Sequence, residues 1–222
     1  MAQEILNWKP EGPTLLAKVD SSGRTPLQFA VTYGKLDVVQ LFLDEGTSME
    51  QVHISDNRGL YPVHTDAMVG RAGIIDELVQ KCPDYYELVD DKGRNLLHCA
   101  VEHHQETVVR HICQNDAFAV LLNATDYEGN TPLHLAVKHG FPRIVSLLLQ
   151  TMTVETGVTN KYGLTAGDLG RRALAPGRWY YFLVSLCYLA MHASIYFFVM
   201  EMALVLFGFI INANSVTPQV FN

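Results

Sequence analysis

From Asp20 onward the chain alternates short polar phrases with stretches in which apolar residues fall three and four positions apart. That spacing puts the apolar residues on one face of a helix. One phrase returns five times: DSSGRTPLQFAVTYG from Asp20, DNRGLYPVHTDAMVG from Asp56, DDKGRNLLHCAVEHH from Asp90, DYEGNTPLHLAVKHG from Asp126 and NKYGLTAGDLG from Asn160. Its glycines, Gly23, Gly59, Gly93, Gly129 and Gly163, are 36, 34, 36 and 34 residues apart. The Asp-x-x-Gly piece predicts a turn in which the acid accepts hydrogen bonds from its own backbone and glycine takes a positive φ. Thr25 and Thr131 are placed to cap the following helix, and Pro26 and Pro132 to occupy its first position, where no amide hydrogen is needed. Leu27, Ala30 and Val31 recur as Leu133, Ala136 and Val137 on the face where neighbouring helices meet. Gly34, Gly70 and Gly140 predict left-handed helix ends. A second helix then begins around Val38-Val39, Ile74-Ile75, Val108-Val109 and Ile144-Val145.

A turn and two antiparallel helices repeated at about 33 residues, with TPLH-type phrases, resembles the ankyrin repeat. The expected fold class is all-α: an ankyrin-repeat solenoid of helix-turn-helix units with β-turn or hairpin tips, followed by a transmembrane helix. No unit of this kind buries its own apolar face, so the stack shares one long core. Residues 1–19 carry Ile5, Leu6, Trp8, Leu15 and Leu16 without the repeated phrase and read as the remnant of a preceding repeat. Residues 20–170 hold about four and a half repeats, and residues 171–178 form a basic linker. Some units depart from the pattern. Asp66 stands where the others place Ala30, Ala100 and Ala136, which predicts local strain in the second repeat. His104 replaces the helix-ending glycine of the third. Gly167 and Gly170 mark the fifth as a closing half unit.

Residues 179–211 read as a transmembrane region, and residues 212–222 as a polar tail. The run WYYFLVSLCYLAMHASIYFFVM from Trp179 has no formal charge. As a helix it reaches about 30 Å, enough to cross the hydrocarbon core. A helix packed on the last repeat would keep a polar face, and this one is apolar all round. Trp179, Tyr180, Tyr181, Tyr196, Phe197 and Phe198 fall where interfacial aromatic belts lie. Arg171, Arg172 and Arg178 precede the run and no Lys or Arg follows it, which places the repeats on the cytoplasmic side. MALVLFGFII, from Met202, is too short to span alone, and whether the region crosses once or twice stays open. On this topology the sequon Asn123-Ala124-Thr125 carries no glycan.

Composition narrows the function. The 222 residues are 49% hydrophobic and 18% charged with a net charge of −7, and nowhere do Lys and Arg cluster as a nucleic-acid binder requires. Cys82, Cys99, Cys113 and Cys187 make no CxxC pair and read as reduced thiols. His64, His98 and His134 share one repeat position, where a ring nitrogen ties adjacent turns. His103, His104 and His111 flank a helix start, but no Cys or carboxylate completes a ligand set at usable spacing, so neither metal nor other cofactor is expected. There is no phosphate-binding loop, nucleophile elbow or HExxH, and the chain is read as not an enzyme.

The phrases ILNWKPEGPTLL, SGRTPLQFAV, IIDELVQKCPDYYELVDDKGRNLLHCAVEHH and NKYGLTAGDL together resemble the plant ankyrin-membrane family of the accelerated-cell-death type over Ile5 to Leu169. The resemblance implies a plasma-membrane or endomembrane regulator of defence, stress or cell-death signalling. That family's membrane region opens with Pro-Gly-Gly and has about four helices. Here Arg178 follows Pro176-Gly177 and one clear span follows, as in a shortened version of a longer parent. The expected partners are other proteins, through the stack, and the lipid bilayer, through the C-terminal segment, with homo- or hetero-oligomers of a longer family member a further reading. The expected partner surface comprises Ser22, Arg24, Arg58, Lys92, Arg94, Tyr127, Glu128 and Asn130 on the turns, with Tyr33, His103 and His139 beside them. The alternatives are a subunit of a channel-like or transporter assembly and a soluble ankyrin regulatory protein.

Overall fold

The computed structural model describes residues 15–44 and 48–173. The expected membrane region at 179–211, the polar tail and most of the N-terminal remnant lie outside them. Among the described residues no helix is long and apolar enough to cross a membrane.

The helices are α1 (Pro26–Thr32), α2 (Leu36–Asp44), α3 (Ser48–Val52), α4 (Pro62–Val69), α5 (Ala72–Lys81), α6 (Leu96–Glu102), α7 (Glu106–Cys113), α8 (Pro132–His139), α9 (Pro142–Leu149) and α10 (Ala166–Ala173). A 3₁₀ turn spans Asp116–Leu121. Among the described residues there is no strand beyond one isolated bridge between Thr159 and Thr165. The helices form two rows. α1, α4, α6, α8 and α10 pack in sequence as the inner row, and α2, α5, α7 and α9 as the outer row. Between the rows lie fully buried Leu27, Ile75, Leu96, Leu97, Ile112, Ile144 and Leu148. Burying a side chain of this kind stabilises by about 1.5–3 kcal/mol.

Each inner helix except α4, whose cap residue Tyr61 makes no side-chain cap bond, starts at a reciprocal cap. Thr25 Oγ1 accepts from Gln28 N at 3.2 Å while Gln28 Oε1 accepts from Thr25 N at 2.9 Å. Thr131 and His134 repeat this, with His134 Nδ1 accepting from Thr131 N at 3.2 Å. Two orphan amides are thereby satisfied at one helix start. The turns before these caps fold as expected. Asp20 Oδ1 accepts from the amides of Ser22 and Arg24, each at 2.8 Å, and Asp56, Asp90, Asp126 and Asn160 do the same in their own units. Each tip docks on the one before: Asn57 N donates to Ser22 O (3.0 Å), Tyr127 N to Lys92 O and Lys161 N to Glu128 O (2.9 Å each). Docking this close requires glycine. Gly129 has φ +79°, and a Cβ there would lie 2.9 Å from Lys161 N.

A second ladder runs inside. Gln28 Nε2 donates to Leu60 O (2.6 Å), and the Nε2 atoms of His98 and His134 lie 3.0 and 3.1 Å from the carbonyls of Asn130 and Leu164. A carbonyl only accepts, so these imidazoles carry hydrogen on Nε2 and leave Nδ1 to receive the cap amide. The expected tie therefore holds at His98 and His134, and Gln28 extends it to the first repeat. His64 differs. Its buried Nε2 lacks hydrogen-bond geometry with any partner among the described residues. Burial lowers the pKa values of His64 and His98 to about 4.

His104 is the one non-glycine residue with positive φ among the described residues (+57°), as its place at a helix end implies. Its ring stacks on Phe141 at 4.3 Å, a contact glycine lacks. The fifth unit closes the stack with one helix, α10, whose start is capped by Thr165 and Asp168.

Asp66 is fully buried in α4, and neither carboxylate oxygen has a hydrogen-bond partner among the described residues. Burial raises its pKa to about 8; Arg71 and the Ile75 amide, short of hydrogen-bond geometry, oppose the shift only in part. The folded chain keeps this acid protonated where the unfolded chain ionises it. Asp66 therefore lowers stability progressively as pH rises from about 4 to about 8. Asp66→Ala should raise stability at pH 7 by on the order of 1–3 kcal/mol, or roughly 2–4 °C of Tm per kcal/mol. Asp66→Asn, polar and buried but unable to ionise, should lose the pH dependence, gaining at pH 7 and little near pH 4; calorimetric melts across this pH range check both. His98 acts with the opposite sign, because the unfolded chain takes up a proton that the folded one refuses. Stability is lost as pH falls from about 6.5 toward about 4. His98→Gln, which mimics Gln28, should keep the ladder bond and recover on the order of 2–3 kcal/mol at the acid end, as urea titrations against pH will show.

Candidate functional site: the turn face

The rigid turns carry the expected partner residues, and folding sorts them into groups. Ser22, Arg24 and Arg58 line one groove of about 420 Å³ together with Ser21, Asp56 and Asn57. Lys92, Arg94, Tyr127, Glu128, Asn130 and His139 line a second of about 410 Å³ with Asp91, Glu102, Asp126, Leu135 and Lys138. Tyr33 and His103 line neither. Both are exposed, Tyr33 at 69%, and His103 Nδ1 lies 3.0 Å from Cys99 O.

Two of these residues are structural. The Arg94 side chain is only 12% exposed and forms ion pairs with Asp90 and Glu102. Asn130 is 3% exposed. Its Nδ2 donates to Asp126, its Oδ1 accepts from Asn160 Nδ2 at 3.0 Å, and its carbonyl is the one met by His98. Arg94 is thus corrected from the partner surface to the interior of its own repeat, and Asn130 to a repeat joint. Polar residues on a turn suggest solvent contact, but here their polar atoms are used within the stack. Arg24 is intermediate, paired with Asp20 at 2.8 Å and lying 4.4 Å over the Phe29 ring. Arg58 pairs with Asp56 yet leaves 68% of its side chain exposed. Lys92 and Glu128 are exposed, and Tyr127 is 61% exposed. The exposed part of the face is Ser22, Arg58, Lys92, Tyr127, Glu128 and His139, with a tyrosine body among both signs of charge. Aromatic and arginine side chains of this kind anchor protein contacts.

The remaining histidines and cysteines fall elsewhere. His103, His104 and His111 diverge: His104 stacks on Phe141, and His111 Nε2 lies 2.8 Å from Asp76. Folding instead assembles His53, Cys82 and Asp84, a cluster the chain order concealed because His53 belongs to the preceding repeat. Cys82, Cys99 and Cys113 are free thiols. Tyr85 packs beneath the connecting loop, edge-on to Phe118 at 5.5 Å and bonded to Ala117 O, whereas Tyr86 is 46% exposed.

Helix pairs stacked in two rows behind docked Asp-x-x-Gly turns define an ankyrin-repeat fold. Residues 115–169 match the family model described as ankyrin repeats in many copies, and residues 22–57 match the single ankyrin repeat. Among curated relatives, the chain is 34% identical over 132 residues to ankyrin repeat protein nuc-2 of Neurospora crassa, covering 59% of this chain and 12% of that protein. It is 27% identical over 168 residues to the human transient receptor potential cation channel subfamily A member 1, covering 60% of this chain and 15% of the channel. It is 30% identical over 141 residues to human B-cell lymphoma 3 protein, covering 61% of this chain and 30% of that protein. The chain thus spans under a third of the length of each of these relatives. It carries ankyrin repeats and presents a protein-interaction module.

Burial disfavours ionisation of Asp90, but the Arg94 side chain and the amides of Arg94 and Lys92 outweigh it and hold the pKa below the ordinary carboxylate range. This contribution is present above the ordinary Asp pKa and disappears as pH falls through the lowered one. Arg94→Ala should cost about 3 kcal/mol or more at pH 7 and less in acid. Arg58→Ala on the open face should change stability by at most about 0.5 kcal/mol. Urea unfolding of both variants at neutral and acid pH checks the contrast.

Proposed function

We propose that the chain is a membrane-tethered interaction module in which the turn face captures a partner protein and the apolar segment from Trp179 holds the stack beside a cytoplasmic membrane surface. The observation that carries the capture half is the row of exposed Arg58, Lys92, Tyr127 and Glu128 on turns fixed by tip-to-tip hydrogen bonds. A preorganised surface loses little conformational freedom on binding. The tether is supported by the uncharged run WYYFLVSLCYLAMHASIYFFVM with Arg171, Arg172 and Arg178 before it. The resemblance to the accelerated-cell-death type supports a role in plant defence, stress or cell-death signalling at the plasma membrane or an endomembrane. Similarity to a cation channel supports a second reading, a subunit of a channel-like assembly. One span or two would then have to assemble with further copies.

Arg58→Glu, Lys92→Glu and Tyr127→Ala combined should leave the helical content and Tm nearly unchanged and reduce partner recovery in proximity cross-linking at least about tenfold, as loss of anchor residues does. Equal recovery by variant and parent would show that capture uses another face. Resistance of the full chain to alkaline-carbonate extraction tests the tether separately, and conductance of the reconstituted chain would favour the channel reading.

A further inference from the structure

The outer edge of the first two repeats holds a cluster that plays no part in the turn face. His53 follows α3, Cys82 ends α5, and Asp84 lies in the turn after it. His53 Nε2 is 3.0 and 3.1 Å from the two Asp84 oxygens and 3.7 Å from Cys82 Sγ, and Sγ is 3.3 Å from Asp84 Oδ1. Three donors of three elements therefore point at one small space.

The arrangement is not a nucleophilic relay. In a relay the carboxylate bonds the imidazole nitrogen away from the thiol, so that the ring passes a proton between them. Here carboxylate and thiol both approach the same nitrogen, Nε2. Nor is the thiol activated: burial, followed by the Asp84 carboxylate, pushes its pKa up to about 12. Asp84 itself is held below the usual range, first by its bond to His53.

We propose that His53 Nε2, Cys82 Sγ and one Asp84 carboxylate oxygen form a three-ligand Zn²⁺ site that clips the first repeat to the second. Bond lengths of about 2.0–2.3 Å to N, O and S put neighbouring ligands of a tetrahedral ion roughly 3.3–3.7 Å apart. With Asp84 Oδ1 as the oxygen ligand the three observed separations, 3.1, 3.3 and 3.7 Å, match to within a few tenths of an ångström. The donor set is one soft sulfur, one imidazole and one carboxylate, which suits zinc and not the all-oxygen demand of Ca²⁺ or Mg²⁺. Thiolate and carboxylate together neutralise the ion's charge. The thiol is buried while the side chains of His53 and Asp84 are 34% and 47% exposed, so the ion enters from the solvent side and keeps water in its fourth position.

On binding, the S–H bond of Cys82 breaks, its proton leaves to solvent and the sulfur lone pair forms the Zn–S bond. His53 contributes the Nε2 lone pair and carries its ring proton on Nδ1. The metal thus replaces protons that bridge the three donors in its absence. A metal so bound closes the chain between positions 53 and 82 and couples its binding energy to folding. The joint it fastens is the one before the repeat that contains Asp66.

The test uses the intact chain, reduced and stripped of metal with a chelator. Titration with Co²⁺ should give the visible bands of a tetrahedral centre and a thiolate-to-Co²⁺ charge-transfer band at one equivalent, both displaced by Zn²⁺. Zn²⁺ at a hundredfold excess over its Kd should raise Tm by about 5–10 °C. Cys82→Ser should abolish the charge-transfer band while Cys113→Ser keeps it. Should Cys82→Ser fail to fold by circular dichroism, the half-exposed ligands decide: His53→Gln and Asp84→Asn should each weaken Co²⁺ binding about tenfold or more. Absence of the band in the parent chain, its survival in folded Cys82→Ser, its loss in Cys113→Ser or unchanged affinity in both other variants would overturn the site.

Discussion

The interaction on which the stack depends is the buried bond from one repeat's inner helix to the carbonyl that closes the next repeat's turn. Gln28, His98 and His134 make it, each by a side chain whose other polar atom caps its own helix. One side chain thus joins the start of a helix to the turn of its neighbour. The bond demands a neutral imidazole, since the carbonyl takes the single ring hydrogen and the cap amide takes the lone pair. Burial supplies that neutrality. The tip-to-tip bonds run the opposite way, from the later amide to the earlier carbonyl, so each joint is sewn in both directions. Coupling restricted to such nearest-neighbour joints is the energetic form of a solenoid.

The second repeat fits this scheme least. Its cap residue is Tyr61, whose side chain makes no cap bond, and His64 misses the ladder carbonyl. Asp66 then occupies a space that alanine fills in three other units. His64 Nε2 and both Asp66 oxygens, buried in one helix and outside hydrogen-bond geometry, make this the least favourable unit among the described residues. The proposed clip lies at the joint leading into it, which Gln28 also bridges, whereas the joint that lacks a ladder bond is the one that follows.

Much of this was legible in the chain. Gly23 to Gly163 marked the turns, Thr25 and Thr131 the caps, and Ala30, Ala100 and Ala136 the inner seam, because each demands a residue type that local chemistry alone explains. Asp66 stood out for the same reason, as a breach of a repeated choice, and His104 likewise. The ladder role of Gln28 was hidden because the motif was read as histidine, although the amide offers the same donor and acceptor pair. Arg94 and Asn130 do not belong to the open face because turn position indicates exposure only on average: Arg94 is spent on ion pairs inside its own repeat, and Asn130 on the joint. His53, Cys82 and Asp84 escaped notice because proximity between repeats follows the stacking vector and not chain spacing.

The placement of Asp66 also bears on how the stack responds to load. A uniform column sheds its terminal units first, where each has a single neighbour. With its least satisfied unit between the first repeat and the better-bonded third and fourth, this column is expected to open from within before its better-bonded units do. The groove bearing Arg58 is built partly from that unit's own turn, and the groove bearing Lys92 from the turns of the next two units. A bend at the joint after the second repeat would change the spacing between the two grooves of the proposed face.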